Sequence, residues 1–129
     1  MTGPAVGRFA IQRHTGHGPE HWDLMIEDGE VLAAWHLERP PTPHDQAPIP
    51  AERIPDHRKH YLTYEGPVGG GRGDVALHDS GTATTLDRTP DKWRFRLEGR
   101  HVNGTYVLER SPGGPARPSR WTLRREPAE

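Results

Sequence analysis

The segment HWDLMIEDGEVLAAWH, residues 21–36, decides the fold class of this chain. Polar and apolar residues alternate on both sides of Asp28-Gly29, which is the pattern of two half-buried strands joined by a tight turn. An Asp-Gly pair between alternating runs predicts a type I′ hairpin across residues 27–30, because glycine adopts positive φ without steric penalty. The first strand carries an apolar face (Trp22, Leu24 and Ile26) and, on its other face, His21 and Asp23.

Other alternating segments recur at short intervals, separated by Gly, Pro, Asn or Asp. They are GRFAIQRH (7–14), GDVALHD (73–79), GTATTLD (81–87), WRFRLEG (93–99), GTYVLER (104–110) and RWTLRRE (120–126). Seven or eight short strands with almost no helical periodicity predict an all-β, mainly antiparallel fold, a sandwich or a small closed or partly open barrel.

Three irregular segments interrupt this pattern. Residues 39–55 carry six prolines, which predicts neither a helix nor a central strand. Residues 111–119 (SPGGPARPS) predict a mobile hairpin loop. Residues 56–64 (DHRKHYLTY) predict the only helical turn, with Asp56 as its N-terminal cap.

Length and composition bound the class of protein. We expect the 129 residues to form a single domain with flexible ends at about 1–6 and 126–129. Only 31% of the residues are hydrophobic, but four Trp and a net charge of -1 argue against disorder. The absence of Cys excludes disulfides and thiolate metal sites. Without a signal-like N-terminus or a membrane-length apolar segment, we expect a cytoplasmic protein, monomeric by default.

Two clusters of polar residues carry candidate chemistry. Two imidazoles and a carboxylate, at His14, His21 and Asp23, are a common ligand set for Mn, Fe or Zn, with His17 as an extra or substitute ligand. The alternative is an exposed strand face on which His and Asp merely pair.

The second cluster consists of His57 and Tyr61, which are four residues apart in the predicted helical turn. Their side chains would project together there, and both can bind phosphate oxygens or move a proton. The alternative is a surface histidine with Tyr61 covering the core. The eight arginines between residues 93 and 125 also allow a face that tracks phosphates, or else ordinary solvated strands.

Five ordered blocks resemble the 3′-phosphoesterase domain of bacterial DNA ligase D. FAIQRH followed by HWDL and EDGEVLAAW is similar to its opening histidine and aspartate motifs. DHRKHYLTYEG is similar to its Asp-His-Pro, Tyr and Phe-Glu-Gly segment, and GRGDVALHDSGT to its Gly-x-Gly-x-Val and Asp-x-Gly segment. LEGRHVNGTYVLER and RWTLRR resemble its closing strands, so that the resemblance runs from about Arg8 to Arg125.

The resemblance implies a small β-barrel with a crescent-shaped groove that acts on 3′ ends of DNA. The implied activity is manganese-dependent removal of a 3′-phosphate or a 3′-terminal ribonucleotide during end joining, with a ligase and polymerase as partners in trans. Zn²⁺ or Co²⁺ are other candidate ions. Carried over by motif, His14, His21 and Asp23 match the metal ligands, and His57 and Tyr61 match the residues that engage the phosphate.

The chain departs from the family pattern in three respects. The position two residues after Asp23 is Met25 instead of arginine, and methionine cannot bind phosphate as a guanidinium does. The candidates to replace it are Arg13, Arg53, Arg58 or an arginine of the C-terminal half, and Met25→Arg is expected to raise activity if none does. Six residues instead of five separate His14 from His21. The family's N-terminal extension is missing, as are the neighbouring domains, and we expect a free-standing, shortened member.

Met25 leaves two functions open: a 3′-end phosphoesterase, or a catalytically diverged module of the same fold that binds nucleic acid or a repair partner.

Overall fold

A computed structural model describes residues 5–42, 47–112 and 120–127, which form nine β-strands and one short 3₁₀ helix. The strands are β1 (Val6–Thr15), β2 (His21–Asp28), β3 (Val31–Leu37), β4 (Ile49–His57), β5 (Gly66–Pro67), β6 (Asp74–Thr89), β7 (Lys92–Gly99), β8 (Asn103–Arg110) and β9 (Arg120–Arg125), and the helix spans Lys59–Leu62.

Eight of these strands close into an antiparallel barrel, which confirms the predicted fold class. The order around the barrel is β1-β2-β3-β4-β9-β8-β7-β6, and pairing of β6 with β1 completes the ring. The short β5 lies beside β6, outside the ring. No helix among the described residues is long and apolar enough to cross a membrane.

The barrel interior is filled by the inward-facing residues of the alternating strands. Leu24 and Ile26 on β2 belong to this core, and Trp22 packs against it, as the alternation predicts. The largest aromatic side chain of the interior, Trp35, meets Trp93 and Trp121 edge-on at ring-centroid distances of 5.8 Å. Four Trp therefore supply much of the apolar surface that an economical sequence can bury.

A second, smaller apolar cluster lies on the outer face of β1, β2 and β3. Met25 is fully buried there against Ala10, Leu32 and Ala34, and Leu62 of the 3₁₀ helix completes the cluster. The same outer face carries His21 and Asp23, because residues two apart on a strand point to one side. The helix therefore lies over the outside of the barrel, next to the predicted metal ligands.

The prediction that the proline-rich segment holds no central strand is wrong for its second half. Residues Ile49–His57 form β4, which pairs with β3 on one side and with β9 on the other. Pro50 lies just beyond the pairing with β3, which begins at Ala51, and Pro55 lies in the irregularity between the paired residues Ile54 and His57, where the register shifts. Neither proline therefore occupies a position at which β3 requires an amide donor.

Two local predictions need correction. Asp28 pairs directly with Val31, so that the hairpin loop is Gly29-Glu30, and only Gly29 has positive φ, as in a type II′ turn. The helical turn begins after Arg58, without a side-chain cap, and Asp56 lies in β4 and accepts a hydrogen bond from Arg53.

Other predictions fall outside the described residues. Most of the predicted loop over 111–119 does so, at residues 113–119, as do residues 1–4 and 128–129 of the predicted flexible ends.

Candidate metal centre and adjoining pocket

Antiparallel pairing of β1 with β2 brings the three predicted metal ligands together. His14 lies directly opposite His21, and Asp23 follows two residues later on the same face of β2. His14 Nδ1 is 3.5 Å from Asp23 Oδ2, and His21 Nε2 is 3.2 Å from Asp23 Oδ1. One ligand atom from each of the three residues lies within 4.8 Å of the others. We call these residues the three-residue cluster.

Backbone carbonyls orient both imidazoles of the cluster. His14 Nε2 is 2.6 Å from the Arg72 carbonyl oxygen, and His21 Nδ1 is 3.2 Å from that of Pro19. A carbonyl can only accept, so each of these nitrogens carries the proton in the neutral ring. The lone pairs therefore stand on His14 Nδ1 and His21 Nε2, the two nitrogens that face Asp23. Such carbonyl contacts to the far nitrogen are typical of histidines that ligate metals.

The donor atoms fit a divalent cation. His14 Nδ1, His21 Nε2 and Asp23 Oδ1 are all buried and lack a hydrogen-bond partner among the described residues. Two ligands about 2.0–2.2 Å from one ion lie roughly 3.0–3.5 Å apart, which agrees with the two distances above. Two nitrogens and a carboxylate suit Mn, Fe, Co or Zn.

A proton competes for the same position. Contact with Asp23 raises the pKa of His21 above its usual value, although burial opposes the rise, and the Pro19 carbonyl adds to it. The carboxylate favours positive charge beside it, whether that charge is a proton on the ring or a metal ion.

His57 and Tyr61 line the same pocket as the three-residue cluster. His57 ends β4, and its Nδ1 is 2.9 Å from the Pro55 carbonyl, which leaves Nε2 free to face a ligand. The Tyr61 ring stands edge-on to it, with ring centroids 5.7 Å apart. The two side chains therefore project together although only Tyr61 belongs to the helix.

Gln12 fixes this helix to the barrel, a role that sequence reasoning missed. Its side-chain amide, on a residue only 2% exposed, donates to the carbonyls of Tyr61 and Tyr64, both at 2.8 Å. Gln12 and Asp23 are directly opposed on β1 and β2. One strand pair thus holds both the predicted metal ligands and the anchor of the catalytic candidates.

One pocket of about 480 Å³ contains all five predicted catalytic and metal-binding residues. Of the additional candidates, His17 lines it as well, with its ring stacked 6.4 Å from that of His14, but it is not part of the three-residue cluster. We call this the site pocket.

The site pocket has two arginines in its wall, of which only Arg58 was predicted; the other is Arg72. Arg13 instead pairs with Glu20 at 2.5 Å, away from the pocket wall. Arg53 lies over the Trp35 ring, 4.6 Å from its centroid, and donates to backbone carbonyls and to Asp56.

His36 is a further residue of the site that sequence reasoning missed. It lies on β3 directly opposite Asp23, and its Nε2 is 3.3 Å from Asp23 Oδ1. Burial lowers the pKa of His36, although Asp23 acts in the opposite direction. The hairpin register was the available signal: with Gly29-Glu30 as the loop, counting back along both strands pairs residues 23 and 36.

Comparison with known protein families assigns the chain to one of them. The model of the DNA ligase D 3′-phosphoesterase domain matches residues 12–110, most of the chain. The chain is a member of this family. The matched range spans the three-residue cluster, His57 and Tyr61. A comparison with curated proteins finds no match.

Not every segment shared with the 3′-phosphoesterase family carries chemistry. In the Asp-x-Gly segment of this domain, Asp79 is 2% exposed and accepts backbone hydrogen bonds of 2.7–3.0 Å from Ser80, Arg100, His101 and Val102. Burial alone would raise the pKa of Asp79, but these four donors lower it overall. Asp79 therefore holds the turn between β7 and β8 and is a structural residue.

Proposed function

We propose that this domain is a metal-dependent phosphoesterase that trims 3′ ends of DNA. The reaction would remove a terminal phosphate or ribonucleotide and leave a 3′-hydroxyl for ligation. The observation that carries the proposal is the pair of imidazole lone pairs, fixed by backbone carbonyls, that faces Asp23 beside a pocket containing His57 and Tyr61. Membership of the 3′-phosphoesterase family supports the substrate class.

His14, His21 and Asp23 would hold the ion, with Mn²⁺ as the first candidate and Zn²⁺ or Co²⁺ as others. When bound, such an ion neutralises phosphate charge and lowers the pKa of water. The protein supplies two imidazoles whose neutral tautomer is set by the backbone carbonyls before the ion arrives.

His57 and Tyr61 would act on the phosphate itself. His57 presents Nε2 to the pocket because Nδ1 donates to the Pro55 carbonyl. In the doubly protonated ring, the proton on Nε2 can pass to the leaving oxygen. The Tyr61 hydroxyl can donate to a non-bridging oxygen and fix the orientation of the phosphate. Gln12 keeps the Tyr61 backbone in place through its side-chain amide.

Arg58 and Arg72 would supply the guanidinium that Met25 does not. Both line the site pocket, and neither forms an ion pair with a carboxylate among the described residues. Arg72 donates its Nε–H to the Gly69 carbonyl at 2.7 Å, which leaves its terminal nitrogens for a phosphate. A guanidinium can bind a phosphate in a bidentate manner.

The test uses DNA primers that end in a 3′-phosphate or in a single ribonucleotide. We expect the protein with Mn²⁺ to convert both to 3′-hydroxyl ends, and Asp23→Ala to reduce turnover by at least about a hundredfold while the barrel stays folded. Asp87→Ala, a carboxylate of β6 outside the pocket, is the matched control and should retain activity. The absence of product at stoichiometric enzyme, with metal bound, would contradict the proposal.

That negative result would favour the second candidate, a diverged module that binds nucleic acid or a repair partner. The observation in its favour is Met25, which occupies an apolar cluster instead of extending a cation towards phosphate. The two candidates differ in one measurement: a binding module retains 3′-phosphorylated DNA without consuming it.

A further inference from the structure

The wall of the site pocket contains a third imidazole next to Asp23, that of His36. Strand pairing fixes its place, because residue 36 of β3 is directly opposite residue 23 of β2 and side chains of directly paired residues share one face. The His21 and His36 rings are 4.1 Å apart between centroids. The arrangement is thus a property of the hairpin and not of one side-chain rotamer.

The distance between His36 and Asp23 matches that between ligands of one ion. His36 Nε2 lies 3.3 Å from Asp23 Oδ1, beside the 3.2 Å of His21 Nε2 from the same oxygen. Two ligands of a common ion are expected roughly 3.0–3.5 Å apart. Asp23 Oδ1 nevertheless has no aligned hydrogen bond from either ring. A cation bound between Asp23 Oδ1 and the two ring nitrogens would satisfy these atoms at the observed distances.

The His36 ring is free to complete such a site. It forms no hydrogen bond with the described residues, and 38% of its side chain is exposed, so it can turn towards an ion without breaking a hydrogen bond. It stands outside the compact three-residue cluster, at the boundary where the site pocket meets a second pocket of about 840 Å³. His21 and His36 line both pockets.

We propose that His36 is a fourth protein ligand, which makes the metal centre a three-histidine, one-carboxylate site. This proposal rests on the proposed function, because it assigns a ligand to the same ion. A third imidazole changes the chemistry of the site: nitrogen donors suit Zn²⁺ and Co²⁺ better than Mn²⁺, which prefers oxygen. His36 therefore sets metal preference in this chain.

The experiment compares Mn²⁺ and Zn²⁺ affinities of the wild type, His36→Ala and the control His101→Ala. His101 is an exposed histidine that lines neither the site pocket nor the second pocket. We expect His36→Ala to weaken Zn²⁺ binding at least about tenfold and Mn²⁺ binding less, and His101→Ala to change neither. Pulsed electron paramagnetic resonance of bound Mn²⁺ should count three imidazoles in the wild type and two in His36→Ala.

Equal weakening of both ions with an unchanged imidazole count would overturn the proposal, since His36 would then act only by holding Asp23. An unchanged affinity for both ions would overturn it as well. Thermal unfolding of the metal-free variants shows whether the barrel is intact. If the wild type binds no metal, the proposed function fails; if it binds metal and trims 3′ ends while His36→Ala behaves identically, only the fourth ligand fails.

Discussion

Gln12 links the barrel to the catalytic candidates, and its replacement by Met tests that link. Methionine has nearly the same length and shape but no donor. The change removes two 2.8 Å hydrogen bonds from a residue that is 2% exposed. Each such bond contributes about 0.5–1.5 kcal/mol net, and a buried carbonyl left without a donor costs about 1–3 kcal/mol. Partial release of the 3₁₀ helix to water limits the loss, so we expect about 2–3 kcal/mol in the free energy of unfolding.

The assay is urea denaturation followed by Trp fluorescence, together with turnover of a 3′-phosphorylated primer. Turnover should fall because Tyr61 loses its anchor, whereas Mn²⁺ affinity should hold because Gln12 bonds to the helix and not to the three-residue cluster. Arg8→Met, at an exposed position of the same strand, is the control and should change stability by less than about 0.5 kcal/mol. If Gln12→Met also changes stability by less than about 0.5 kcal/mol and leaves turnover unchanged, the reasoning is refuted, and the packing of Leu62 alone holds the helix in place.

Three further predictions concern other parts of the chain. Asp79→Asn should lower the free energy of unfolding, measured with urea, by about 2–4 kcal/mol, because an amide cannot accept from four backbone donors. Folding lowers the pKa of Asp79, so the stability that its carboxylate contributes is present at neutral pH and is lost as pH falls through that lowered pKa. Metal affinity measured by calorimetry should fall as pH drops through the raised pKa of His21, by about tenfold per unit below it, because the ring must lose its proton to bind. Met25→Arg should lower the free energy of unfolding by about 3 kcal/mol or more, since a charge would replace a fully buried side chain. Adding Leu62→Ala to this variant should recover part of that loss, because Leu62 packs in the same apolar cluster and its removal would let the arginine reach water. A stable and more active single variant would contradict this account of Met25 and restore the simpler expectation from the sequence.

Local alternation was sufficient to predict an all-β sandwich or barrel and the shared face of His21 and Asp23. The period of two assigns Leu24 to the core and Asp23 to the opposite face, and the pairing of β1 with β2 follows from their sequence proximity. His14, His21 and Asp23 converge for that reason. The fold confirms the all-β prediction, and the role of these three residues as metal ligands stays a prediction.

Register was the first feature that the sequence left undetermined. Treating Asp28-Gly29 as the central turn residues pairs Asp23 with Ala34, whereas the observed Gly29-Glu30 loop pairs it with His36. The difference is two residues, which preserves the face but changes the partner. His36 was missed because turn type and loop position are decided together by the packing of both strands.

Long-range contacts were the second undetermined feature. Arg53 is held over Trp35, and Arg72 reaches the site pocket, only because β4 and the loop before β6 are brought to the same side of the barrel. The proline content excludes a central strand over Ile49–His57 only if a neighbouring strand needs an amide donor at each proline. Pro50 lies beyond the pairing with β3, and Pro55 lies in an irregularity of that pairing. Nothing local in the sequence reveals either position.

Zinc titration followed by long-range ¹H–¹⁵N spectra of the imidazoles tests the central claim most directly, because it identifies which nitrogen binds. We expect His14 to coordinate through Nδ1 and His21 through Nε2, each with the other nitrogen still protonated and donating to a backbone carbonyl. Coordination through the opposite nitrogens, or spectra unchanged at saturating zinc, would contradict it.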